Sequence, residues 1–189
     1  VRAIGQVAYS FPMDIVVVPD PGDPTKGVVR WGQREAPCAL GRSGVIAESQ
    51  KREGDGATPS GRFALRRLLW RADREVSPRT RLRRHVISHT DGWCDDPNRP
   101  EYNRPVSLPF DGSAEQVWRE DHIYDLVVVL GHNDDPPRAG AGSAIFLHIA
   151  RPGYAPTEGC VAMRGADLRA LLSEVGPEDA LVVTLPATD

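Results

Sequence analysis

Cys160 and His148 are the residues of this sequence whose types and spacing could support covalent chemistry at an acyl carbon. Cys160 stands in the run Thr157-Glu158-Gly159-Cys160-Val161-Ala162-Met163, and eleven residues separate it from His148. The thiolate is the reactive form of cysteine, and an ordinary thiol with a pKa of about 8.5 is mostly protonated at neutral pH. A histidine within hydrogen-bond reach supplies the base or the ion-pair partner. Gly159 has no Cβ, so the backbone there can turn sharply and aim successive N–H groups at one spot. Such a nest beside the sulfur would be an oxyanion hole, and losing one donor of that kind typically costs roughly 3 kcal/mol in the barrier. Taken singly, a cysteine is ordinarily a small buried hydrophobe and a histidine a structural residue, so composition alone does not make this pair a site.

The surrounding elements must bring the two together. His148 lies near the end of an apolar run, Ser143 to Ile149, that reads as a strand. Strand alternation would turn Leu147 and Ile149 to the core and His148 to the site. The Pro/Gly-rich stretch Arg151 to Pro156 is long enough to fold back toward His148. Further strands are expected at Asp14 to Val18, Gly27 to Trp31, Gly44 to Ala47, Gly61 to Leu69, Arg84 to Ser88, Tyr124 to Gly131 and Ala180 to Leu185, between turns rich in the 18 glycines and 17 prolines. Two helices are expected. Ser113-Ala114-Glu115-Gln116 has the spacing of a capping box for a short helix through Trp118. Leu168, Leu171, Leu172 and Val175 form one apolar face from about Ala166 to Val175, stopped by Gly176 and Pro177. The stretch Thr90 to Asp111 reads as a long loop, a candidate lid or substrate wall.

The 189 residues fit one domain, taken over residues 1–189, with 40% apolar and 26% charged residues. The fold expected is mainly β, with one or two short helices packed at the side. The formal net charge of −3 argues against a nucleic-acid partner. No apolar run reaches the 18 residues of a transmembrane helix, and Ile15 to Val18 is too short for a secretory h-region. Lysine occurs only at positions 26 and 51, so the cationic side chains are almost all arginine, suited to bidentate carboxylate contacts or simply to a solvated surface. Cys38 and Cys94 could pair in an oxidising compartment, or stay free.

Other clusters carry weaker signals. His89, Cys94, Asp95 and Asp96 contain metal-ligand types without zinc spacing, and Asx turns explain them better. His132-Asn133-Asp134 follows an apolar strand and could line a cleft or form a plain turn. Glu53-Gly54-Asp55-Gly56 reads as a turn with glycines at positive φ.

The ordered combination of these segments resembles the L,D-transpeptidase (YkuD-type) family. His148, the loop and Thr157-Glu158-Gly159-Cys160 resemble its active-site signature. Lys51 to Phe63 (KREGDGATPSGRF) resembles its upstream segment. Thr90 to Asp96, Tyr102-Asn103-Arg104 and Tyr124-Asp125 resemble a proteobacterial branch. The likeness is strongest over residues 41–185. It implies an L,D-transpeptidase-like β-sandwich, a periplasmic or envelope location, sensitivity to carbapenems, and peptidoglycan stem peptides as substrate, with no cofactor and no metal. It implies Cys160 as nucleophile and His148 as base. Arg164, Thr157, Asn133, His132, Tyr124, Trp93, Arg104 and Arg151 are the candidates for holding substrate. One position departs from the pattern: many members carry Arg or Asn two residues after the cysteine, and here Ala162 stands there. Cross-linking, hydrolysis by an L,D-carboxypeptidase or amidase at the same site, and a non-catalytic wall- or metal-binding module are the functions to be told apart.

Overall fold

A computed structural model describes residues 12–187 of the chain. The described residues open with three strands, β1 (Asp14–Pro19), β2 (Lys26–Trp31) and β3 (Arg34–Ala39), paired antiparallel in sequence order. β4 (Val45–Ala47) and the long β5 (Thr58–Trp70) follow, then β6 (Arg84–Val86). Three short strands come next: β7 (Asp91–Cys94), β8 (Pro105–Ser107) and β9 (Ala114–Gln116). The chain then runs through β10 (Leu126–Leu130), β11 (Phe146–Ile149), β12 (Val161–Met163), the helix α1 (Gly165–Glu174) and β13 (Ala180–Val183).

The main sheet has the order β10-β11-β12-β3-β2-β1-β13-β5-β4, with β6 added on β5. β5 pairs with β13 through Gly61 to Ala64 and with β10 through Leu65 to Trp70, so its 13 residues close the sheet on itself. Alternation explains the interior. Ile15 and Val17 of β1, Phe63 and Leu65 of β5, and Leu126, Val128 and Leu130 of β10 point into one core, joined by Leu168, Leu171 and Leu172 of α1. Burying such a side chain fully is worth about 1.5–3 kcal/mol, which makes this core the principal support of the fold. All five residues of β10 are buried, because its second face is covered too. There Val127 and Val129 meet Trp93, Tyr124, Phe146 and Cys160, beneath the separate sheet β8-β7-β9. The nucleophile candidate therefore belongs to this second apolar cluster.

The expectation of a mainly β chain with a helix at the side holds, with one α-helix among the described residues. The expected helix from Ser113 does not form. Ala114 to Gln116 pair with β7, and the Ser113 carbonyl accepts from Asp95 N at 3.3 Å. A helix of six residues closes too few hydrogen bonds to repay its nucleation, and the cross-strand ladder offers each backbone group a partner. The stretch from Thr90 to Asp111 is likewise built around β7 and β8 rather than being loop throughout. Cys38, Cys94 and Cys160 are all free and buried. No helix among the described residues is long and apolar enough to cross a membrane.

Candidate active site

β11 and β12 lie parallel, with Leu147 opposite Val161 and His148 opposite Ala162. Cys160 immediately precedes β12 and so enters beside Phe146, whose N–H donates to the sulfur at 3.3 Å. Leu147 joins the main core and Ile149 packs against it, while His148 faces the other way. Cys160 and His148 thereby line one cleft of about 430 Å³, together with Lys51, Glu53, Asp95, Glu115, Arg119, Tyr124, Ser143, Ala144, Arg151, Thr157 and Glu158.

The loop before the cysteine is pinned on several sides. Thr157 Oγ1 donates to the Cys160 carbonyl at 2.7 Å and accepts from Gly159 N at 3.1 Å. Thr58 Oγ1 adds a longer bond to the same carbonyl, 3.4 Å. Thr157 also exchanges backbone bonds with Leu40 and Arg42. Gly159 sits at φ 133°, and a Cβ there would lie 2.8 Å from the Ala57 carbonyl oxygen. Only glycine fits both conditions. Ala57 is placed by Asp55, which accepts from Ala57 N at 2.9 Å and from Arg52 N at 2.7 Å and pairs with the buried Lys51. Gly54 and Gly56 take the positive φ expected of that turn. The Lys51 to Phe63 segment is thus architecture that supports the cysteine loop from below. The Gly159 N–H is taken by Thr157 Oγ1, so it is not free to serve an anion at the sulfur.

His148 Nδ1 donates to the Ile149 carbonyl at 2.9 Å, which leaves Nε2 for the cleft. Its ring meets Tyr124 edge-on, centroids 5.2 Å apart. Tyr124 Oη donates to Glu115 Oε1 at 2.8 Å, and Arg119 stands 3.7 Å from the same oxygen. Burial dominates the electrostatics. It pushes the Cys160 thiol up to about 12, with the Glu115 carboxylate adding to the effect. It lowers His148 to about 4, against the pull of the Ile149 carbonyl. It raises Glu115, opposed by the Tyr124 hydroxyl and Arg119. The resting pair at neutral pH is therefore a thiol and a neutral imidazole, and the thiol donates to the Ala144 carbonyl at 3.3 Å.

The structure brings Cys160, His148, Thr157, Tyr124 and Arg151 to this cleft, with Gly159 beneath it. The other candidates lie elsewhere. Arg164 begins α1 and forks onto Asp167 with two contacts of 3.0 Å, pointing to solvent. Arg104 lines a different cleft. Trp93 is buried in the wall between, its Nε1 donating to Asn103 Oδ1 at 2.9 Å. His132 and Asn133 brace the loop that leads into β11: His132 Nε2 meets the Ala141 carbonyl at 3.1 Å, and Asn133 Nδ2 donates to the Gly142 carbonyl at 2.9 Å. Ala162 is buried in β12 and offers the cleft no polar group. Glu115, Arg119 and Ser143 of the lining carry no signal of a site in the sequence, and Asp95 reads there only as a turn residue. The capping-box spacing around Glu115 predicts a helix start, which conceals its place in a strand opposite Trp93. No group of three or more His, Cys, Asp or Glu side chains is arranged to hold a metal among the described residues.

The L,D-transpeptidase catalytic domain (YkuD) family model matches residues 12–183, and the chain belongs to that family. No curated protein matches the sequence. Among solved structures the chain is similar to an L,D-transpeptidase from Mycobacterium smegmatis, at 16% identity and TM-score 0.43, over 92% of this chain and 59% of that one. It is also similar to Bd1075 of Bdellovibrio bacteriovorus, at 15% identity and TM-score 0.46, over 98% of this chain and 52% of that one. The chain spans little more than half the length of either.

Proposed function

We propose that this domain is a peptidoglycan L,D-transpeptidase that works through a thioester on Cys160. The observation that carries the reading is that Cys160 and His148 line one cleft, with the imidazole Nδ1 held by the Ile149 carbonyl so that Nε2 is left for the cavity. In this reading a stem peptide enters with the carbonyl of its L-centre against the sulfur. His148 Nε2 takes the thiol proton as the sulfur attacks, and the Cys160 N–H stabilises the oxyanion. His148 then returns the proton to the leaving D-amino acid, and a thioester remains. An amine from a second stem attacks that thioester, loses a proton to His148 and regenerates the thiol as the cross-link forms. Arg119 and Arg151, both in the cleft lining, are the cations within it that suit a substrate carboxylate. The domain would do this work in the periplasm.

Water as acceptor would make the same site an L,D-carboxypeptidase, and linkages other than 3→3 use the same first half-reaction. Purified stem-tetrapeptide muropeptides separate the readings. New cross-linked dimers are the expected product; tripeptide alone would mean hydrolysis. Neither product, with no covalent carbapenem adduct on the intact protein, would leave a non-catalytic module.

A further inference from the structure

A second cleft of about 720 Å³ lies behind the first. Its charged lining consists of Arg66, Arg67, Arg83, Arg84 and Arg104 with His85, against one carboxylate, Asp134. The whole chain is net acidic at −3, so this concentration of positive charge is local. Arg66 is held by Asp134 at 2.7 Å, and His85 by Asp91 at 2.8 Å. Arg67, Arg83 and Arg104 form no ion pair among the described residues, and all three are exposed.

The backbone is shaped to gather these side chains. Regular alternation would send Arg66 and Arg67 to opposite faces of β5. The β5–β10 register slips here, with Val129 opposite Arg67 but Leu130 opposite Leu65. This bulge leaves Arg66 without a partner and turns both arginines outward, between the buried Leu65 and Leu68. β6 adds Arg84 opposite Leu68, alongside Arg83. Arg104 arrives from the far side, just before β8. Trp93, Pro105 and Val129 supply apolar wall. The two clefts share a partition. Asn103 Oδ1 accepts from Trp93 Nε1 at 2.9 Å and from Ala144 N at 3.1 Å, and the Cys160 thiol donates to the Ala144 carbonyl.

We propose that this arginine cleft is a second binding site, for a carboxylate-rich peptide, and that it seats the stem peptide of a neighbouring wall strand while the first cleft performs the reaction. The identity of the peptide rests on the transpeptidase reading above. Planar guanidinium forks match carboxylates two bonds at a time, and the apolar wall suits the aliphatic parts of a short peptide. A cleft of this volume falls in the range that holds a small ligand.

The test uses protein whose Cys160 has been alkylated with iodoacetamide, so that the first cleft is blocked. Binding of a synthetic stem tripeptide is measured by titration calorimetry at several salt concentrations, beside its carboxamide analogue and inorganic tripolyphosphate. Binding should persist in the alkylated protein, weaken with salt, and weaken at least tenfold in the Arg67→Gln, Arg83→Gln, Arg104→Gln triple variant. Thermal melting and the alkylation rate of Cys160 should match the parent, showing that the variant folds. Unchanged affinity in the triple variant, equal affinity for the carboxamide, or no binding after alkylation would overturn the proposal. Tighter binding of tripolyphosphate than of tripeptide would overturn the carboxylate assignment in favour of a phosphate ligand. Tripeptide binding without turnover by the unmodified enzyme would count against the transpeptidase reading alone.

Discussion

The Nδ1 of His148 lies 2.9 Å from the carbonyl oxygen of its own neighbour, Ile149. This contact fixes the tautomer that keeps Nε2 unprotonated, in the cleft that Cys160 also lines, a role a carboxylate fills in many triads. With the imidazole lowered to about 4 and the thiol raised to about 12, the proton rests on sulfur at neutral pH.

Alkylation of Cys160 by iodoacetamide should therefore climb from pH 7 to pH 10 without a plateau, about tenfold per pH unit, as thiolate accumulates. His148→Ala should change that profile little yet reduce turnover by at least about a hundredfold, since the lost function is proton transfer. A plateau by pH 7 that disappears in His148→Ala would instead indicate a resting ion pair.

Stability should follow pH with a definite sign. His148 is buried neutral, so between its ordinary value of 6.5 and about 4 the unfolded chain binds a proton that the native chain refuses. Stability is then fully present above pH 6.5 and is lost as pH falls through this window. Cys160 acts at the other end: its stabilisation is present below pH 9 and is lost as pH rises toward 12. Denaturant midpoints at pH 4.5, 7 and 10 should show the maximum at 7. For His148→Gln the acid-side slope should be shallower, and an unchanged slope would remove His148 from the explanation.

Gly159→Ala should destabilise the protein by about 1–3 kcal/mol, because the residue must hold φ 133° with a Cβ 2.8 Å from the Ala57 oxygen. Chemical denaturation measures this. A variant as stable as the parent, with normal alkylation of Cys160, would show that the loop can re-form without glycine.

Much of this was legible in the sequence where local signals agreed with the tertiary fold. The α1 stripe of Leu168, Leu171 and Leu172 had a single apolar period and a Gly-Pro stop, and the helix forms within a residue of expectation. Strands β1, β2, β5, β10 and β13 carried enough apolar residues to be read without partners. β3, with Glu35 and Pro37, and β12, only three residues long, owe their strand state to neighbours distant in sequence. The same holds for β7, β8 and β9, where pairing overrode a capping-box pattern. Cys160 and His148 could be singled out because the glycine and the threonine before the sulfur formed a local motif. Arg164 and Arg104 could not be placed, since linear distance from Cys160 says nothing about which face of a helix or partition a side chain takes.

Glu115 is the lining residue that pattern concealed, and its charge bears on the Cys160 thiol. It stands second to burial in raising the Cys160 thiol. Glu115→Gln keeps the shape and an acceptor for Tyr124 while removing the negative charge. Alkylation at pH 8 should become several-fold faster, with the thermal melt within a few degrees of the parent. Equal or slower alkylation in a folded variant would mean that Glu115 does not act on the sulfur.

The thioester is tested most directly by intact-mass and peptide-mapping mass spectrometry of protein quenched in acid during turnover of a stem tetrapeptide. The expected result is one added acyl group of the shortened stem, mapped to the peptide that contains Cys160. It should be discharged by an added amine acceptor and absent from Cys160→Ala, which should release no D-amino acid, while Cys38→Ala and Cys94→Ala form it normally. Release of the D-amino acid by Cys160→Ala at the parent rate, or an adduct on any other residue, would contradict the assignment of Cys160 as nucleophile.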